Sequence, residues 1–597
     1  MNRIAAFPGQ RSKLATAGLS LLVVAVVVTR STSASAQDFD RYRPRTPFGG
    51  VVTPGLPTPP YNPIDGSTDV LVNELKGIMI LDHESRVQDP IKPFDDVRID
   101  PAADLTVARE DNFKDILTPY LGQPITIRLL NEMASNIVMV YRDAGQPVVD
   151  VNMPSGQDIT DGIVQVVITE AKIGSVRFRG NCHFSDCLLQ QQTWLRPGQN
   201  IYVPSLQDEL IWFNHSPYRT VGLSLEPGTD AGTTNIVFDV NDRRPLNGYL
   251  GYEDSGTRRT SLERVVAGFS AGNLFGQDGQ LAYQWMADAA LSNQIGVHSL
   301  IYRAPIFENR DSWSLAAQLQ DIDTVAATAG AISDANAWQI SARYHHPLCE
   351  TQCRNDIFHF GFDVKGTQTD LDFGGVTVLP TDVQVVQLMA GISSEQIYDD
   401  GHTLYGADLF LSPGYLSGRN DDGDFSRLRP GARSTYAYTR GYIERLYAMD
   451  QRSDLVLRAT GQLSTYKLLQ TEQLSFGGYN SIRGYDMRAA SGDSGYILNA
   501  ELRTKPIQHC VGGMDSALTM LAFTDFGQYV NWNNVNNGVA PEHDDILASV
   551  GVGMRYVMDP TVTLRFDYGV PLTTPSGVLP QAAPSSGRIH LGAILAF

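Results

Sequence analysis

From Leu246 to the last residue, apolar and polar side chains alternate with a period of two, segment after segment. Val562, Leu564, Phe566 and Tyr568 fall on one face, and Thr563, Arg565, Asp567 and Gly569 on the other. Val550, Val552, Met554 and Tyr556 alternate with Ser549, Gly551, Gly553 and Arg555. The last segment alternates Ile589, Leu591, Ala593, Leu595 and Phe597 with His590, Gly592, Ile594 and Ala596. Successive side chains of a strand point to opposite sides, so each segment reads as a strand with one apolar and one polar face. In a soluble sandwich the apolar faces would form a core. The length of the strands, and the Arg and Asp opposite the apolar face, favour lipid on one side and a polar lumen on the other. About 16 such strands can be counted, an even number, as expected of a bacterial outer-membrane barrel.

The connections alternate in length. Phe275–Asp278, Glu308–Arg310 and Asp399–Gly401 are short; Ser417–Ser434, Thr465–Gly495 and Thr573–Gly587 are long. Short turns belong to the periplasm and long loops to the outside. The barrel, assigned to residues 244–597, therefore starts and ends on the periplasmic side. Cys349, Cys353 and Cys510 fall on periplasmic turns.

The chain opens with a secretory signal over residues 1–36. Arg3, Arg11 and Lys13 precede a Leu19–Val28 apolar run, and Ala34-Ser35-Ala36 is a small-residue cleavage site. The run is too short to span a bilayer and Arg30 closes it. The formal charge of −19 becomes −23 once the four leader cations are removed. Nucleic-acid binding needs clustered Lys and Arg and is not expected of so acidic a chain. Residues 37–69 are a linker rich in proline, from Pro44 to Pro63, which cannot pack a core.

Residues 70–170 read as an α+β unit. Leu75–Leu81 is a strand, Asn112–Leu121 is helical, and Leu129, Leu130, Met133, Ile137, Val138 and Tyr141 recur at helical spacing up to a stop at Gly145. Strands Val148–Val151 and Ile163–Thr169 follow. Residues 171–243 repeat the pattern with strand Ile173–Phe178, helices Phe184–Leu195 and Ser205–Asn214, and a hairpin of Val221–Leu225 with Thr233–Val240 around Pro227-Gly228. The strands Ile163–Thr169 and Thr233–Val240 are expected to be exposed edges, open to an extended peptide by strand addition. In an oxidising compartment, local bridges Cys182–Cys187 and Cys349–Cys353 are expected, with Cys510 left over. A metal site at Cys349 and Cys353 with His345 and His346 is the alternative, though the spacing is not a standard zinc pattern.

The longest loop, Thr465–Gly495, carries Ser475-Phe-Gly-Gly-Tyr-Asn-Ser-Ile-Arg-Gly-Tyr485, in which Arg483 is the only charge between Glu472 and Asp486. Asp525 lies on the inward face of its strand with Phe523 and Gly527. An isolated carboxylate among apolar residues needs a partner, and a loop Arg folded into the lumen supplies one in bidentate geometry. The alternative leaves Arg483 in solvent and Asp525 in pore water.

Ile482-Arg483-Gly484-Tyr485 resembles the (V/I)RG(Y/F) motif of the outer-membrane transporters of two-partner secretion, which export haemolysin- and filamentous-haemagglutinin-type exoproteins. Phe523-x-Asp525-x-Gly527 is similar to that family's second motif, and the two α+β repeats resemble its two periplasmic POTRA domains. Leu195-Arg-Pro-Gly198, Pro227-Gly228 and Gly272-Asn-Leu-Phe-Gly276 also fit the family pattern. The resemblance implies that Arg483 pairs with Asp525 inside the pore and that Phe597 is a signal to the barrel-assembly machinery. It also implies a secreted partner exoprotein as cargo and the bacterial outer membrane as location. Outer-membrane lipids are further partners of such a barrel, read here as a monomer. Family members often carry an amphipathic N-terminal plug helix; Gln37–Thr46 is short and has no helical apolar stripe.

No enzyme frame, cofactor site or catalytic residue is expected. Gly268-Phe-Ser-Ala-Gly272 matches the nucleophile-elbow pattern of hydrolases, but that elbow needs a strand-turn-helix setting and this segment alternates as one strand. The alternative functions are an insertase for other barrels or a lipid-handling relative, which usually has more POTRA repeats, and a passive porin or receptor, which needs none.

Overall fold

The structure is a computed structural model that describes residues 66–597 apart from 110–111, 258–260, 293, 326–330, 374–375, 533–543, 559–560 and 576–581. The expected leader, the segment Gln37–Thr46 and the linker up to residue 65 lie outside the described residues. Two units are distinguished, one ending at Arg244 and one beginning at Pro245.

The first unit holds both α+β repeats. Helix Ile127–Asp143 starts where Thr126 accepts a hydrogen bond from the Leu129 N–H, an N-cap that fills one of the orphan donors of the first turn. Leu129, Met133, Ile137 and Tyr141 form its buried stripe. They pack on Ile78, Ile80, Val164, Val166 and Ile168 of a four-stranded sheet. That sheet contains β1 (Gly77–Leu81), β2 (Val97–Ile99), β3 (Val149–Asn152) and β4 (Ile163–Glu170), in the order β2-β1-β4-β3. The second repeat contains β5 (Lys172–Arg179), β6 (Arg219–Pro227) and β7 (Thr233–Asp242), in the order β5-β7-β6. Helices Asp186–Gln192 and Val203–Phe213 accompany it, and Phe213 meets Phe178 and Phe238 of the sheet.

One expectation is overturned here. Ile163–Glu170 and Thr233–Asp242 are central strands, each paired on both sides. Their near-continuous apolar runs suit burial on both faces, which is the mark of an interior strand. Among the described residues the edge strands are β2 and β3 in the first repeat and β5 and β6 in the second. β2 was not foreseen, since three residues are too few to carry a period.

In the second unit, seventeen strand segments close into a ring among the described residues. Ser494–Thr504 and Ile507–Val511 both pair with Met514–Val530 and are halves of one strand interrupted at Lys505-Pro506. The wall is therefore a sixteen-stranded antiparallel barrel, closed by Arg588–Ala596 against Leu246–Glu253. Leu250, Phe269, Leu409, Leu498, Val552 and Leu591 are exposed on its outer face, while Glu501, Asp525, Asp567 and His590 are buried inside. Connections 275–278, 307–310, 351–353, 399–400 and 512–513 are short, and 414–434, 465–493 and 572–587 are long. Cys349, Cys353 and Cys510 lie at or beside the short ones. Gly268–Gly272 lies within the strand Arg264–Leu274.

Neither expected disulfide is formed; all five cysteines are free. The Cys182 N–H is bound to the Asp242 carboxylate at 3.0 Å, whereas Cys187 lies in helix Asp186–Gln192 with Gln191 3.5 Å from its sulfur. Cys349 sits in a wall strand opposite Asp356, beyond a bulge, and Cys353 lies in the following turn.

Candidate functional site

The loop between strands Ser453–Ser464 and Ser494–Thr504 folds into the barrel, with Phe476, Ile482 and Tyr485 buried against Ile497, Tyr529 and Leu547. Two glycines permit this. Gly484 has φ +92°, a left-handed conformation that favours glycine, and an added Cβ would lie 2.9 Å from the Gly569 carbonyl carbon. At Gly527 a Cβ would meet the Ile482 side chain at 2.6 Å. The wall is thus flat at Gly569, where the loop backbone rests on it, and at Gly527, where the Ile482 side chain does.

Arg483 is the centre of the arrangement. Its Nε donates to Asp525 Oδ2 and its Nη2 to Asp525 Oδ1, both at 2.8 Å, and its backbone N–H donates to Oδ2 at 3.0 Å. Its Nη1 donates to Glu501 Oε1 at 2.7 Å and lies 3.7 Å from Asp567 Oδ1. The guanidinium stacks on Phe523, 3.5 Å from the ring centroid. A planar fork can satisfy a carboxylate bidentately and lie flat on an aromatic ring at once, which an ammonium cannot. Asn499 Nδ2 bridges Asp525 Oδ1 and the Ser481 carbonyl, at 2.8 and 2.6 Å. The Gly484 N–H donates to His590 Nε2 at 3.2 Å, and the one proton of the Tyr485 hydroxyl has the Thr573 carbonyl at 2.8 Å and the Ala548 carbonyl at 3.0 Å as acceptors.

The structure therefore brings Ile482, Arg483, Gly484 and Tyr485 together with Phe523, Asp525 and Gly527 at one spot on the inner wall. It also adds residues that sequence reasoning missed. Glu501, Asp567, Asn499 and His590 come from three further strands, and the site holds three carboxylates around one Arg. Glu501 also contacts Arg503 and Asp567 contacts Arg555, so each has a second cation. The signal was present in part: Asp567 and Glu501 occupy inward positions of alternating strands. Which strand lies beside which part of the loop is not encoded in that alternation.

Phe597 stands apart from this site. It is exposed, and its backbone exchanges two hydrogen bonds of 2.9 Å with Gly248 across the closing seam.

Comparison with known proteins agrees with this architecture. The family model for haemolysin secretion/activation protein ShlB/FhaC/HecB matches residues 232–556, and that for the ShlB-type POTRA domain matches residues 97–171. The heme/hemopexin transporter protein HuxB of Haemophilus influenzae is 22% identical over 454 residues, covering 74% of this chain and 77% of that protein. The outer membrane transporter CdiB of Dickeya dadantii is 20% identical over 488 residues, covering 79% and 82%. Among solved structures, CdiB from Escherichia coli superposes with a TM-score of 0.66 at 16% identity, over the full length of both chains. BamA from Haemophilus ducreyi, lacking POTRA domains 1–3, superposes with a TM-score of 0.52 at 15% identity over 83% of this chain and 98% of that one.

Proposed function

The chain belongs to the haemolysin secretion/activation protein family, and from that premise we propose that Arg483 and its carboxylates hold the lumen loop in register while an exoprotein crosses the pore. The protein is an outer-membrane transporter for a secreted exoprotein, with its POTRA domains in the periplasm. Unfolded cargo meets the POTRA units first. The edge strands β5 and β6, tied at Ile173 to Gly198 and Gln199 and at Val221 to the Asn214 side chain, take up an extended segment as an added strand along the rest of their length. The cargo then passes the lumen loop and folds outside, and that folding drives the net movement. The apolar outer face contacts lipid, the barrel works as a monomer, and Phe597 is read by the barrel-assembly machinery during insertion.

The observation that carries this reading is a loop fastened inside a closed barrel by one buried Arg, in a chain that also has two POTRA-like repeats. A passive porin has no use for either feature. Deleting the gene and comparing secreted and surface proteomes tests it. Loss of one large exoprotein supports export. A general loss of outer-membrane barrels would instead support an insertase, and loss of small-solute uptake alone would support a porin.

A further inference from the structure

Eleven positions before Arg483, the same loop is fastened a second time, to a different part of the wall. Glu472 is buried, with a side chain 1% exposed. Lys365 Nζ donates to both its oxygens, at 2.7 and 3.0 Å. Gln387 Nε2 and the Tyr438 hydroxyl donate to Oε2 at 3.1 and 2.8 Å. Four hydrogen bonds on one buried carboxylate offset part of the cost of taking it out of water. Gln387 also donates to Asp363 at 3.0 Å, and Asp363 pairs with Arg343, so Glu472 joins a wall network rather than a lone lysine.

The placement gives this pair its meaning. Counted along the ring of described strands, Lys365 lies on the seventh, Gln387 on the eighth and Tyr438 on the tenth, whereas Glu501, Asp525 and Asp567 lie on the twelfth, thirteenth and fifteenth. The two fastenings grip separate sectors of a sixteen-stranded wall. We propose that Lys365 and Glu472 are positioning residues that anchor the base of the lumen loop independently of Arg483, beside the Asp486–Arg588 and Asp493–Arg429 pairs of the same loop. Breaking the Arg483 cluster frees the tip around Ile482–Tyr485, while the base stays across the lumen. The loop leaves the pore more readily when both fastenings are broken than when either one is.

The test reads loop position without cargo, so it stands whether or not the export reading does. The full-length chain, with its five cysteines changed to serine, receives Asn480→Cys at the loop tip. A maleimide carrying a bulky polyethylene glycol is applied to intact cells, and single-channel conductance of the purified protein is recorded in parallel. Glu472→Gln and Arg483→Ala should each raise the labelling rate about tenfold or more. The double variant should raise it by about the product, a hundredfold or more, because independent tethers add in free energy. The charge swap Lys365→Glu with Glu472→Lys should return the rate toward that of the parent. If Glu472→Gln fails to assemble, Lys365→Met with Glu472→Met replaces the buried pair by apolar side chains of similar size and serves in its place. A double variant that labels and conducts no differently from Arg483→Ala alone overturns the proposal.

Discussion

Replacing Arg483 by alanine removes the one cation that, among the described residues, touches Asp525. Glu501 keeps Arg503 and Asp567 keeps Arg555, but Asp525 keeps only the Asn499 amide and the backbone N–H of residue 483. Leaving one partner of a buried pair uncompensated costs about 3–5 kcal/mol. The tip keeps the hydrogen bonds of the Tyr485 hydroxyl and of the Gly484 N–H to His590, at about 0.5–1.5 kcal/mol each, together with the Asp486–Arg588 ion pair, the stacking of Arg565 on Tyr479 and the burial of Ile482 and Tyr485. The loss removes the strongest single tie of the tip, and the tip should loosen on the wall. The wall itself closes through its own backbone ladder and should survive. The expected outcome is a barrel present at normal level in the outer membrane, with retained heat-modifiable migration, and exoprotein secretion reduced by an order of magnitude or more. Arg483→Lys should rescue little, since a point charge cannot reproduce the bidentate and stacked geometry. Exchanging the residues, Arg483→Asp with Asp525→Arg, should restore part of the secretion. Normal secretion by Arg483→Ala would refute the reasoning, and so would a fall in secretion that matches a fall in barrel level.

A chain lacking residues 70–243 should still form a heat-modifiable barrel but lose cargo binding; capture and export by the bare barrel would remove the recognition role from the POTRA units. Deleting Phe597 should lower the amount of barrel in the outer membrane, and deleting Arg588–Phe597 should abolish it, because the seam closes on only five register pairs and an open edge in lipid is costly. A strand-deleted chain found in the membrane at parental level and resistant to unfolding would show that closure is not needed. In the second POTRA unit, burial pushes the Asp242 carboxyl up, but the N–H groups of His183, Cys182 and Phe184 with the His183 ring outweigh it, so its pKa is lowered. Its contribution to stability is thus complete above the ordinary carboxylate value of 3.8 and is lost as the pH falls through the folded value below it. Asp242→Asn should cost about 1–3 kcal/mol at neutral pH and flatten the acid limb of a denaturation profile; an unchanged acid limb would contradict this assignment.

The alternation from Leu246 onward determined the barrel, its outward faces and the even strand count, because in a strand the position along the chain dictates the face. The helical stripe of Leu129, Met133, Ile137 and Tyr141 determined the core of the first POTRA unit for the same local reason. Arg483 and Asp525 stood out as lone charges in apolar surroundings. The tertiary structure alone decided where those charges meet and what else meets them. Glu501, Asp567 and His590 converge on the loop only because ring closure sets wall strands side by side, and Lys365 reaches Glu472 across 107 positions of sequence. The edges of the POTRA sheets were misread for a related reason. Strand order depends on which crossovers pack, and alternation within a strand does not record its neighbours. Local periodicity is written residue by residue, whereas adjacency follows from closing a sheet on itself, and closure is a property of the whole ring.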